Sequence, residues 1–208
     1  DLHSFPTRRS SDLNLSLLAM AVDAMGENVI SMTGPQAGIS ADEDHSRARI
    51  KKINPKKVKA HLAKNTIVIV AGFQALNNKG DITTLGRGGS DLTAVALAAA
   101  LDAGSCEIYS DVEGVFTTDP RLVKDARKLD YISYEEMLEM AGSGAQVLQG
   151  RSIEVAKKFG VEIHARSTFS DNIGTIITSE EKIRRKNMEA LLVSGEVEIG
   201  RASCRERV

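Results

Sequence analysis

Arg87, Ser90 and Asp91 stand within five positions of one another in the stretch Thr83–Leu101, TTLGRGGSDLTAVALAAAL, where a glycine-rich turn opens onto an Ala- and Leu-rich helix. A guanidinium, a hydroxyl and a carboxylate gathered there can bind an anion and steer a proton or a second cation. Gly86, Gly88 and Gly89 allow positive φ and a close approach of backbone to ligand, and Ser90 occupies the position expected of an N-cap. The first N–H groups of the helix lack internal acceptors and lie at the positive end of its dipole, so a phosphate or carboxylate is stabilised at that point. On these residues alone, a simple turn before a buried helix remains the alternative.

Two other stretches carry chemistry-bearing residues. Thr66–Ala71, TIVIVA, is the uninterrupted β-branched run of a doubly covered parallel strand, and it delivers Gly72 and Phe73 at its end. Ser110–Arg121, SDVEGVFTTDPR, is a long polar loop that follows a strand at Cys106–Tyr109, with Asp111, Asp119 and Arg121 spaced among turn formers. Strand, Ala-rich helix and strand read as a right-handed βαβ unit. In an open α/β sheet, ligands lie beyond the carboxyl ends of the strands, so Gly72-Phe73, Arg87–Asp91 and Ser110–Arg121 are predicted to converge on one edge.

The remaining elements frame that edge. Helical spacing is expected over Asn14–Met25, with Gly26 at its end, and again after Asn54-Pro55, where Val58, His61 and Leu62 form one stripe. Short strands are expected at Asn28–Thr33, Ala48–Ile53, Val161–Arg166 and Gly174–Thr178, with a loop over Gly34–Ser40. Ser133 and Glu136 have capping-box spacing for a helix through Ala141, and Val147–Phe159 resumes helical spacing before Gly160. Ser179–Asn187 reads as a charged linker and Met188–Val193 as the start of a strand. His45 is a solvated loop residue, since no second His or Cys lies at ligand spacing, and His61, on the apolar stripe of a helix with lysines on its other faces, is a boundary residue.

The two ends mirror each other as DNA. The reverse complement of a DNA sequence able to encode His3–Leu13 translates in one frame as Ile199–Val208 and resembles a sequencing adapter, so residues 1–13 and about 198–208 are read as artefact, flanking a natural stretch of 14–197. Lys and Arg number 27 against 28 Asp and Glu, a net charge of −1 that becomes −2 without those ends. Neither value predicts nucleic acid or an anionic membrane as partner. Cys106 is the one cysteine of the natural stretch, which excludes an intrachain disulfide and indicates a reducing, cytoplasmic setting; it reads as a packed thiol. No apolar run reaches the ~20 residues of a membrane span, and 42% hydrophobic residues suffice for one substantial core.

The glycine turn is neither a P-loop, which needs GxxxxGK[ST], nor a GxGxxG dinucleotide turn. Four segments, VAGFQ at Val70–Gln74, the stretch Thr83–Leu101, EIYSDVEGVFTTDPR at Glu107–Arg121 and ISYEEMLEMA at Ile132–Ala141, resemble aspartate kinases of the amino-acid kinase superfamily, in the same order. The resemblance implies a three-layer α/β/α sandwich with a mostly parallel sheet, incomplete at the N-terminus: residues 14–179 as a partial kinase domain, 180–197 as a linker and the start of an effector-binding domain. It also implies ATP-dependent phosphorylation of the β-carboxylate of L-aspartate, with Mg2+ accompanying the nucleotide, in a cytoplasmic homo-oligomer with no membrane or nucleic-acid partner.

By that resemblance Arg87 pairs with a substrate carboxylate, Phe73 walls the aspartate pocket, the amides of Gly88, Gly89 and Ser90 face the reacting carboxylate and phosphate, and Asp91 orients a catalytic lysine. Ser90, Ser110 and Asp111, together with Phe116, Thr117, Thr118, Asp119, Pro120 and Arg121, hold ATP. No metal ligand set within the protein is implied. The family's first strand, with its glycine-rich loop and lysine, and an acidic substrate-binding residue before Asn14 have no counterpart in the sequence, and Gln146 replaces a lysine that many members carry. This stretch alone is therefore expected to be inactive. A glutamate or acetylglutamate kinase, or a non-catalytic nucleotide- or amino-acid-binding module, is the alternative.

Overall fold

The computed structural model describes residues 4–145 and 147–186, with side chains from residue 12 onward. The Gln146 substitution, the Met188–Val193 strand and the adapter-like segment after residue 197 lie outside the described residues. The chain opens on α1 (Ser4–Ala24), so Ser4–Leu13 and Asn14–Ala24 form one continuous helix, which ends before Gly26 at φ +85°. There follow β1 (Val29–Met32), β2 (Ile39–Ala41), β3 (Ile50–Ile53), α2 (Lys56–Leu62), β4 (Ile67–Val70), β5 (Gln74–Leu76), β6 (Ile82–Thr84) and α3 (Gly89–Leu101). The second half contains β7 (Ser105–Ser110), β8 (Tyr131–Ser133), α4 (Tyr134–Gly142), α5 (Gly150–Phe159), β9 (Glu162–Ser167) and β10 (Thr175–Thr178).

These elements build an α/β sandwich in which parallel and antiparallel pairings mix. The strands fall into a β1-β4 pair, a sheet ordered β3-β2-β5-β6 and a sheet ordered β7-β9-β10-β8. The pairs β1-β4, β2-β5, β7-β9 and β8-β10 are parallel, and β2-β3, β5-β6 and β9-β10 are antiparallel. α3 is the partition between two cores. Its Val95 packs with Met137, Ile153, Ile163 and Ile177, while its Leu92 packs with Ile39, Ala75 and Leu85.

Three expectations change. The β4-α3-β7 unit is not a simple βαβ, because β4 and β7 belong to different sheets and a β5-β6 hairpin intervenes. That hairpin closes through the Asn77 side chain, which accepts from the amides of Lys79 (2.9 Å) and Asp81 (2.8 Å), a local turn chemistry that the apolar pattern of its short strands does not announce. β4 is covered on fewer sides than its β-branched run suggests: Ile67 is 43% exposed, and among the described residues the strand pairs only with β1. Residues 180–186, read as linker, are helical, supported by Arg184–Glu180 and Arg185–Glu181 ion pairs.

Other readings are found in place. Ser133 Oγ accepts from Glu136 N at 3.2 Å while Glu136 Oε2 accepts from Ser133 N at 2.9 Å, closing the capping box of α4. Gly160, at φ +68°, ends α5. The fully buried Thr175 ties the Ser110–Arg121 loop to the sheet: its hydroxyl accepts from Val115 N (2.9 Å) and donates to Leu129 O (2.5 Å). Thr175→Val keeps the volume but strands a buried donor and acceptor, so it should cost about 1–3 kcal/mol, measured by urea unfolding.

Candidate active site

The site is built around the N-terminus of α3. Gly88 is the N-cap residue in the left-handed conformation (φ +69°), with no side-chain cap, so Ser90 lies inside the first turn instead of at the N-cap position. The reason is local space. A β-carbon on Gly88 would fall 1.9 Å from Gln149 Cγ, and one on Gly89 would fall 2.8 Å from Phe73 Cδ2 and 2.9 Å from Leu85 Cβ. A chain with side chains at both positions could not enter the helix along this path. Gly89 N donates to Gly86 O at 2.9 Å, so the Gly89 amide, expected to face the reacting groups, is engaged within the turn.

Phe73 is held in a conformation unusual for an aromatic residue, φ +70°. Two hydrogen bonds enforce it: Phe73 N donates to Thr93 Oγ1 (3.1 Å), and Leu85 N donates to Phe73 O (3.0 Å). Thr93 in turn donates to Gly89 O at 2.7 Å, so one hydroxyl connects Phe73 to the first turn of α3. Backbone strain of about 1–3 kcal/mol held by its surroundings is a mark of functional sites. Neither Thr93 nor this strain was signalled by the sequence pattern, because Thr93 reads as one more residue of a buried helix.

Gly72 and Phe73 therefore meet the Arg87–Asp91 turn as expected, with Gly72 packed against Ser90. Arg87 is exposed at the turn, and Asp91 is half-buried. Burial lifts the Asp91 carboxyl above its usual range, and its own backbone amide pulls in the opposite direction. Burial also pushes the Cys106 thiol to about 11, with the Asp91 charge adding to it. The cysteine is thus the packed, protonated group its apolar setting suggests, and it marks where β7 passes beneath the start of α3.

The Ser110–Arg121 loop leaves the end of β7 but belongs to a second group. Among the described residues, its hydrogen bonds to other segments run to Arg127, Leu129, Thr168 and Thr175, and none reaches the Gly86–Asp91 turn. Phe116 bridges to Lys128, and Asp111, Thr117, Thr118 and Pro120 face solvent. Arg121 makes a bidentate pair with Asp119 at 3.0 and 2.9 Å, and this pair holds the Asp119 carboxyl below its usual range. Among the described residues, no three His, Cys, Asp or Glu side chains converge as a metal site, and no helix is long and apolar enough to cross a membrane.

Residues 7–167 match the amino acid kinase family. The chain belongs to the amino acid kinase family. It is 49% identical over 210 residues to the aspartokinase of Bacillus sp. (strain MGA3), an alignment covering 97% of this chain and 51% of that protein. An aspartate kinase structure from Synechocystis superposes with a TM-score of 0.69 at 42% identity, covering 81% of this chain and 27% of the other. E. coli aspartokinase III in complex with aspartate and ADP superposes with a TM-score of 0.73 at 30% identity, covering 79% and 38%. The chain spans about half the length of the curated relatives it matches. Within this amino acid kinase fold, the αL entry at Gly88 and the strained Phe73 place two chain segments against one helix end.

Because the Asp91 pKa is raised on folding, its ionisation opposes folding: stability is greatest below the unfolded pKa and falls as pH rises through the folded one. Asp91→Asn should therefore melt above the wild type at neutral pH, by about 2–4 °C for each kcal/mol recovered, and the difference should vanish below about pH 3. Thermal melts across that range check both the sign and the window.

Proposed function

We propose that this chain is part of the catalytic domain of an aspartate kinase, which transfers the γ-phosphoryl group of ATP, bound with Mg2+, to the β-carboxylate of L-aspartate. The observation that carries the reading is the α3 N-terminus, where the glycine entry packs against Phe73 and carries the exposed Arg87 and the half-buried Asp91. The names of the similar proteins agree with it, and one of those structures is described as a complex with aspartate and ADP. Arg87 would take a substrate carboxylate with its planar fork. The Ser90 amide, in the first turn of α3, would face the charge that develops between carboxylate and phosphate. Ser110, Asp111 and the 116–121 segment would hold the nucleotide from the neighbouring sheet.

Asp91 would act through a lysine by orienting its ammonium toward the transferred phosphate. A groove of ≈ 460 Å³ runs between Val68 and Val70 of β4 and Cys106 of β7, floored by Thr93 and Leu97 of α3 and ending at Gly72 and Ser90. A further strand in that groove would join the two sheets and bring its own end to Asp91, which is the place for a glycine-rich loop bearing the lysine. Phosphoryl transfer depends on positioning and charge stabilisation, so removing that cation should cost orders of magnitude in rate.

An ADP-release assay on the full-length protein, with aspartate compared against glutamate, tests the proposal; turnover of glutamate alone would overturn it. In that protein, Arg87→Ala should raise the aspartate KM by about tenfold or more, while Asp91→Ala should lower kcat on the order of a hundredfold. Wild-type kinetics in Asp91→Ala would remove Asp91 from the mechanism.

A further inference from the structure

Arg151, near the start of α5, donates through Nη1 to Leu85 O at 2.7 Å and through Nη2 to Ala48 O at 2.9 Å. These acceptors lie 66 and 103 residues away in sequence, and both belong to fully buried residues. Leu85 stands two positions before Arg87 and is itself bonded to Phe73 O. Ala48 belongs to the segment that flanks the turn from the other side: Ala48 N donates to Thr84 O at 3.0 Å, and a β-carbon on Gly86 would lie 3.1 Å from Ser46 O. Two residues earlier on the same helix entry, the stem of Gln149 fills the space beside Gly88, and Ser152 Oγ fixes the Gln149 carbonyl at 2.6 Å. Arg87 is thus bracketed by α5, at Leu85 by the Arg151 guanidinium and at Gly88 by Gln149.

We infer that Arg151 is a positioning residue for the Arg87–Asp91 turn: its guanidinium fork, spanning the Leu85 and Ala48 carbonyls, sets the direction in which Arg87 meets the carboxylate of the amino-acid substrate. The inference rests on the functional reading above. A guanidinium suits the task because it remains charged when partly buried and presents two donors in a fixed plane, whereas a lysine ammonium can reach one carbonyl at a time. The Ser110–Arg121 loop belongs to the other sheet and is not touched by this fork, so the effect should fall on the amino-acid substrate and spare the nucleotide.

The test compares Arg151→Lys, Arg151→Gln and Arg151→Ala in the full-length protein, measuring KM for aspartate and for ATP separately. The aspartate KM should rise on the order of tenfold in Arg151→Ala and about threefold in Arg151→Lys, with the ATP KM unchanged to about twofold. A parallel rise in both KM values, or an unchanged aspartate KM in a folded Arg151→Gln, would overturn the inference and leave a purely structural arginine. Hydrogen exchange on the full-length protein separates this failure from failure of the functional reading. The amides of Arg87–Gly89 should exchange faster in Arg151→Gln than in Arg151→Lys, while those of Val95–Leu101 keep their protection. Equal exchange at Arg87–Gly89 in wild type and Arg151→Gln would overturn the inference whatever substrate the enzyme uses.

Discussion

The structure depends on how the chain enters α3. A helix beginning is a set of unpaired donors, and it becomes an anion site only when the chain reaches it without covering it. Here Gly88 turns through the left-handed region and Gly89 slides under the Phe73 ring, so the backbone rather than a side chain forms the mouth. The absence of a side-chain cap is therefore part of the design. A serine in the usual capping position would consume the amides that a ligand would use.

That entry is held from three directions. Thr93 reaches back along α3 to Gly89 O and receives the Phe73 amide, Leu85 ties the far side of the turn to Phe73 O, and Arg151 fastens Leu85 from α5. Each contact joins elements distant in sequence, and α3 sits in both of the larger apolar cores. The strain at Phe73 is sustained because the surrounding packing overdetermines it. The burial that raises the Asp91 pKa comes from the same packing, so the carboxylate opposes folding where the proposed chemistry needs it.

The division into sheets gives the two groups of candidate residues different supports. Phe73 and the Arg87–Asp91 turn belong with the β3-β2-β5-β6 layer and its core, whereas Ser110–Arg121 hangs from the β7-β9-β10-β8 layer through Thr175. α3 and α5, both packed against the two larger cores, relate one group to the other. The groove between β4 and β7 separates the β1-β4 pair from the β7-β9-β10-β8 layer.

By itself the sequence determined what short-range chemistry encodes: the capping box at Ser133 and Glu136, the helix stop at Gly160, the β-branched strand before Phe73, the packed Cys106, and the glycine entry with Arg87 and Asp91 at its mouth. Each is set by residue types a few positions apart. The long motifs in order carried the family resemblance as well. Tertiary structure decided the rest: that β4 and β7 lie in separate sheets, that Phe73 is forced to positive φ, that Ser90 is inside the helix instead of capping it, and that Arg151 reaches Leu85 and Ala48. Those facts depend on contacts between segments dozens of residues apart, and neither periodicity nor turn chemistry records such a partner. The groups a site contains are therefore local information, and the directions in which those groups point are not.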